Sequence, residues 1–384
     1  RINVHLKDEA VIASIIGTET PPPALVPLDL MLHESFATLI GDHHRLVNQL
    51  YLNSLENDMR MHQHFASLKF YYFGYFVELF YQNLNSEINE RTMRTHGSID
   101  AIMTSIRVMF QRRKLEQLFN VAVDRSLGQI TTSDADVLTE LESNQLCFVP
   151  QGDHTQATND IFDTCQLNYT CPWPLNVIVD QDALHKYHRV FVLLFKLKRA
   201  ARSLNEIWSA FQHPSRKRKA MSQHSLSIEL MRQEMYHFVI TLQNYLTNQI
   251  SNVCWNDFQQ NLSRVDSFED VIEVHTKYID SVITYCMLND PAKPIQVTID
   301  RILAAVHMFR EQVDQHLKAE AQATQSVNTD LLLGIQSTKL EFRQCGKFLF
   351  TIVSTLSRKG YKYDMTDLLV NLNYNLHYDR MTIK

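Results

Sequence analysis

The sequence predicts an all-α fold, an elongated arrangement of long helices in packed helical bundles. Only 9 glycines and 10 prolines occur in 384 residues, too few turn residues for a fold rich in sheets and loops. Apolar residues recur every three to four positions over long stretches, the period of a helix with a buried side. The region Gly128 to Pro174 breaks that rhythm at greatest length.

The segment Leu6 to Ile16 reads as a short helix or a tail, and "TPPPALVP" (Thr20 to Pro27) as an extended linker, because each proline restricts the residue before it. From Leu28 to about Leu55 the positions Leu32, Phe36, Leu39, Ile40, Leu46, Val47 and Leu50 keep helical spacing. A second helix is predicted from Met61 to Ile88. Its "LKFYYFGYFVELFYQNL" is apolar on almost every side, which calls for neighbours all round. A third is predicted from Ile99 to about Val123. Between Gly128 and Pro174, "LCFVP" and "LNVIV" are short apolar pieces that suit a small sheet or extended connections.

Long helices then resume over Asp182 to Phe211, Ser225 to Leu262, Phe268 to Leu288, Pro294 to Lys318 and Asn328 to Arg358, with a last one from near Asp364. Asp266 or Ser267 can cap the third of these, with Glu269 and Asp270 favoured in its first turn by the helix dipole. Gly360 is placed to end the helix before it. Two polar stretches, "HPSRKRKAMSQH" (His213 to His224) and "KAEAQATQSVNTD" (Lys318 to Asp330), read as linkers. The first carries a run of four cations, Arg216 to Lys219, between Ser215 and Ser222, so phosphorylation would cut its charge.

Composition narrows the function. A net charge of −5 provides no general field for a nucleic-acid backbone. No window of about 18 uncharged apolar residues exists, so no membrane span is predicted. Six scattered cysteines without a C-x-x-C pair read as reduced, packed thiols of a cytosolic protein. The chain starts at Arg1 without methionine, and reads as part of a longer protein.

The stretch "YHRVFVLLFKLKRAARSLNEIW" (Tyr187 to Trp208) is the most informative. Val190, Leu194, Leu197, Ala201, Leu204 and Trp208 form one apolar stripe about 28 Å long at 1.5 Å per residue. Phe191 and Phe195 add a second stripe on its first half. Lys196, Lys198, Arg199 and Arg202 interrupt any bilayer-crossing run. The reading is a core helix with one wet side.

Motifs for chemistry are lacking. There is no G-x-x-x-x-G-K-[ST] phosphate loop, no G-x-G-x-x-G turn and no G-x-S-x-G elbow. His43-His44 and His62-Gln63-His64 lack the spacing of a metal site and read as polar helix surface. His237 reads as a satisfied core histidine, and Trp173, Trp208 and Trp255 as core anchors. No enzyme, metal or cofactor is expected.

The segment Cys171 to Trp208 resembles the signature of the gamma-tubulin complex protein (Grip) family through Trp173, Pro174, Leu175, Tyr187, Phe191, Leu194, Leu197, Lys198 and Trp208. The following helix resembles the family through Arg232, Met235, His237, Phe238, Leu242, Gln243, Tyr245 and Trp255. The next does so through Val271, His275, Tyr278 and Cys286. The terminal "SRKGYKYDMTDLLVNLNYNLHYD" resembles the sixth and largest branch of the family, with the fifth as the alternative. One departure is Tyr75, between Gly74 and Phe76, where the family favours an acidic residue.

The resemblance implies an all-helical C-terminal module over residues 28–384, preceded by a leading segment and linker over residues 1–27. It implies that the module binds gamma-tubulin in a ring complex that templates microtubules, in the cytoplasm, at centrosomes or other microtubule-organising centres, and on spindles. Other gamma-tubulin complex proteins are implied as partners, mainly through an N-terminal region not in this chain. Contact residues are expected on exposed sides of the later helices: Arg189, Lys198, Arg199, Arg202, Arg232, Asn371, Asn373 and Tyr374. The alternative is a helical tether subunit of a vesicle-docking complex.

Overall fold

The computed structural model describes residues 28–91, 112–129, 146–150, 165–212, 223–321, 325–358 and 365–374. Among the described residues the fold is all-α with one small two-stranded antiparallel sheet. Helices α1 (Leu28–Asn57), α2 (Met61–Phe73), α3 (Phe76–Arg91) and α4 (Arg112–Gly128) lead into strands β1 (Leu146–Pro150) and β2 (Cys165–Tyr169). After these come the short α5 (Leu175–Ile178), α6 (Gln181–Phe211) and α7 (Gln223–Asn248). A π-helical turn (Gln249–Cys254) joins α7 to α8 (Trp255–Leu262). Then follow α9 (Phe268–Tyr285), α10 (Lys293–Ala321), α11 (Gln325–Arg358) and α12 (Thr366–Leu372).

α6 is the axis of the molecule. Asp180 caps its start, Oδ1 accepting from the Ala183 amide at 2.7 Å. Fifteen of its residues are buried, among them Tyr187, Phe191, Phe195, Leu197 and Leu204. Its first half is surrounded by aromatic rings. Phe80 meets Phe148 at 5.2 Å, Phe191 at 5.8 Å and Phe195 at 5.9 Å, while Phe73 stacks on Tyr187 at 5.1 Å. Ring pairs at these spacings add attraction beyond the area they bury. The second half forms a four-helix bundle with α7, α10 and α11. Lys196 pairs with Asp300 at 3.3 Å, and Arg343 forks onto Glu234 with its closest contact at 2.7 Å.

The predicted single helix from Met61 to Ile88 is two. α2 ends at Phe73, the chain turns at Gly74 and Tyr75, and α3 restarts at Phe76. A Cβ on Gly74 would lie 2.7 Å from the Phe70 carbonyl oxygen, so only glycine fits against the preceding turn. The break turns Tyr71, Tyr72, Phe76 and Phe80 inward and leaves Tyr75 exposed, so a residue run apolar all round still finds cover.

The small sheet is half as expected. "LCFVP" forms β1, but its antiparallel partner is "CQLNY", with Phe148 opposite Leu167. "LNVIV" supplies α5 instead, set by Pro174 at its N-cap. Helices hold the hairpin through side chains. Asn120 of α4 accepts from the Phe148 amide at 2.7 Å and donates to its carbonyl at 3.3 Å. The Tyr72 hydroxyl donates to the Leu167 carbonyl at 2.9 Å, and the Leu167 amide donates to His188 Nδ1 at 3.2 Å.

Ser267 caps α9 as predicted, accepting from the Asp270 amide at 3.2 Å. α9 ends with the amides of Met287 and Leu288 bonded back to Thr284 and Ile283. Met287, at φ 58°, stands where glycine is usual. The polar stretch from Lys318 to Asp330, read as a linker, is mostly helix: α10 runs to Ala321 and α11 starts at Gln325. Ala319, Glu320 and Ala321 are strong helix formers.

α1 is helical as predicted, but Phe36, Leu39, Ile40, Leu46, Val47 and Leu50 are exposed. Leu55 is buried, and Tyr51 meets Phe268 at 5.1 Å. Expectations for Leu6–Ile16, Thr20–Pro27, Gly360, the Arg216–Lys219 run and the first part of the third predicted helix lie outside the described residues.

Candidate partner-binding surface

The cationic side of α6 does not face outward as a free basic strip. The Arg189 guanidinium donates to the Leu288 carbonyl at the end of α9. Lys186 pairs with Asp280 at 2.6 Å, and Lys198 with Glu78 of α3 at 3.1 Å. Arg202 is exposed and lies 3.6 Å from Glu206, which also receives Arg310 of α10. Arg199 is half-buried. A helix with neighbours on several sides has little outer face, so Lys186, Arg189 and Lys198 tie α6 to other parts of the fold, while Arg202 pairs within α6.

Arg232 was expected to be exposed. It is 7% exposed and forks onto Glu229 one turn back, at 2.6 Å and 2.9 Å. Of the α12 candidates, Asn371 and Tyr374 are exposed and Asn373 is half-buried. Tyr374 lies 6.4 Å from the ring of His237. His237 is exposed, not a core histidine. His64, from a pair expected on the polar surface, is buried instead and bonds the Tyr169 hydroxyl at 2.8 Å. Trp173 and Trp208 are 73% and 47% exposed, so the core-anchor expectation holds only for Trp255, which is packed on the core with Lys69 Nζ 4.6 Å above its ring.

The buried titratable groups are in structural states. Burial lowers His64 and His275 to about 4, the latter against the opposing pull of the Asp180 carboxylate. Burial pushes the Cys171 and Cys254 thiols up to about 12, and Cys286 further. Thiols held protonated in this way are poor nucleophiles. No group of three His, Cys, Asp or Glu placed to hold a metal occurs among the described residues, and no described helix is long and apolar enough to cross a membrane.

Grooves open on the surface of the described residues. One of 1340 Å³ runs along α9, where Asp257, Asp270 and Glu273 alternate with Arg264 and Lys277. A second, of 600 Å³, lies between α10 and α11 over Val297, Cys345 and Phe348. A third, of 410 Å³, lies between α11 and α12 over Phe350, Leu369 and Val370. α11 thus stands as a ridge between two grooves. The sequence candidates Asn371, Asn373 and Tyr374 lie on the α12 flank, and none lies on the α10 flank. The available signal was a second apolar set on α10: Val297 and Met308 point outward, while Ile295, Ile299, Ile302 and Val306 are buried.

Residues 60–378 match the family described as gamma tubulin complex component C-terminal. The chain belongs to that family. Gamma-tubulin complex component 6 of Mus musculus is 24% identical over 362 residues, covering 92% of this chain and 19% of the relative. The Homo sapiens protein of the same name gives the same identity and coverage. Gamma-tubulin complex component 5 of Mus musculus is 23% identical over 221 residues, 52% of this chain and 21% of the relative. The wider coverage by the sixth component agrees with the likeness of the terminal segment. The chain spans about one fifth of the length of the curated relatives it matches. Tyr187, Phe191, Leu194, Leu197, His275, Tyr278 and Cys286, which carried the family resemblance, belong to the aromatic hub and its surroundings in α6 and α9.

Proposed function

We propose that this chain is the gamma-tubulin-docking part of a structural component of the gamma-tubulin ring complex, and so supports microtubule nucleation at microtubule-organising centres. Residues 28–384 form the docking domain, and residues 1–27 lead into it. The chain is a scaffold without catalysis of its own, and any GTP chemistry belongs to gamma-tubulin. Other gamma-tubulin complex components are its neighbours in the assembly, mainly through regions beyond this chain. It acts in the cytoplasm, at centrosomes and on spindles.

The observation that carries this reading is the family match across residues 60–378. The helical body adds support. Burial disfavours the charged forms of His64, His275 and its core thiols, several of its cations tie helices together, and its grooves lie on the outside, as suits a protein-binding scaffold. Among the contact candidates, Arg202, Asn371 and Tyr374 are exposed and the preferred three. The test is retention on the immobilised chain. Gamma-tubulin is retained if the reading is right; capture of trafficking GTPases without tubulin would favour a vesicle tether instead.

A further inference from the structure

We propose that this chain self-associates through α1, two copies laying their α1 helices antiparallel, side by side, across a two-fold axis at His43.

Apolar exposure is concentrated on α1. Phe36, Leu39, Ile40, Leu46, Val47 and Leu50 are 50–67% exposed, and α11, with Leu333, Leu340 and Phe348, comes next among the described residues. α1 meets the body near its end, where Leu55 is buried and Tyr51 and Leu52 pack against the core. At about 100° and 1.5 Å per residue, the six exposed positions form a stripe about 120° wide and about 21 Å long. A stripe of that width is what a helix presents to a neighbouring helix.

The pattern itself selects the occupant. Counted from His43, apolar side chains stand three, four and seven residues away on either side. Such a set is self-complementary against an antiparallel copy, because the two-fold axis carries each position to the one equally far on the other side. Phe36 then meets Leu50 of the second copy, Leu39 and Ile40 meet its Leu46 and Val47, and His43 meets its own counterpart. Charge does not oppose the pairing. The stripe holds no Asp, Glu, Lys or Arg, and Asp42 and Arg45 outside it pair with each other at 3.4 Å. The exposed area of the six side chains is on the order of 600 Å² per copy, or about 1,200 Å² for the pair, the lower end for a specific interface. An area of that size leaves little surplus over the cost of association, so a Kd of about 10–100 µM is expected.

The test is sedimentation equilibrium of the chain from about 1 to about 500 µM, with circular dichroism checking that each variant keeps its helices. Wild type should pass from monomer to dimer over this range. Ile40→Glu/Val47→Glu should weaken the dimer at least about tenfold, and His43→Leu, which replaces the polar midpoint of the stripe, should tighten it about tenfold. Oxidative crosslinking above the wild-type background reads the orientation. His43→Cys should link to itself, while Phe36→Cys should link to Leu50→Cys and not to itself. A chain monomeric throughout the range, or a dimer indifferent to the double substitution, would overturn the proposal. Phe36→Cys linking to itself as readily as to Leu50→Cys would mean parallel helices and overturn it equally. Protection of Phe36→Cys from alkylation by gamma-tubulin, and not by a second copy, would give the face to that partner and also overturn it.

Discussion

The Tyr187 hydroxyl lies 3.2 Å from Nε2 of His275, joining α6 to α9 across 88 residues of chain. Both side chains are buried, and Phe65 stacks on the same imidazole at 5.3 Å. A polar pair inside aromatic packing requires this geometry, because either group left unpaired costs about 1–3 kcal/mol. The family signature at Tyr187 and His275 is therefore a record of packing between α6 and α9.

Two of the buried histidines, His64 and His275, give the fold a pH limit. Burial holds His64 and His275 near 4, against 6.5 when exposed. The unfolded chain takes up these protons first, so stability is full above about pH 6.5 and falls as the pH drops towards 4. At about 1.4 kcal/mol per tenfold change in proton affinity, the combined loss is on the order of 5 kcal/mol by pH 4. Urea unfolding between pH 7 and pH 4 checks this. His275→Gln should flatten the curve and lower stability at pH 7.

Asn120→Ala removes both bonds to the Phe148 backbone. The strand would keep its sheet partner but leave one amide and one carbonyl unpaired beside α4. The expected cost is about 1–3 kcal/mol, read as a lower urea midpoint. Hydrogen exchange should speed up first at Phe148 and Leu167.

Gly74→Ala tests why the second predicted helix is two. The added Cβ would meet Phe70 backbone atoms at 2.7 Å and 3.0 Å, which cannot rotate away as a side chain would. A loss of about 1–3 kcal/mol is expected, typical of overpacking. A neutral result in thermal melts would show that the α2–α3 turn relaxes freely.

At Met287 two effects oppose each other. Its left-handed backbone costs about 1–2 kcal/mol relative to glycine, while its side chain is buried, worth about 1.5–3 kcal/mol. Burial wins, so Met287→Gly should destabilise the protein by roughly 1 kcal/mol. Equilibrium unfolding reads the sign directly.

Much of the architecture was legible because helical periodicity and burial coincide. Val190, Phe191, Leu194 and Leu204 are buried on α6 as the stripes required, and Ser267 caps α9 where a serine before two acids predicted it. Periodicity failed where backbone geometry intervened. The apolar run over Met61–Ile88 hides the turn at Gly74, and that over Ser225–Leu262 hides the π-helical turn at Gln249–Cys254. Surface sites were harder to see, since charge alone does not distinguish a contact residue from a tie between helices. Arg189, Lys198 and Arg232 all have intramolecular partners. Of the α12 candidates, Asn371 and Tyr374 are exposed, because a short helix has few neighbours to use up its polar groups.

The most direct test of the proposed gamma-tubulin docking is sedimentation of the chain with gamma-tubulin at micromolar concentration. The account predicts one faster boundary containing one copy of each protein. Two independent boundaries, unchanged when gamma-tubulin is added in excess, would contradict it.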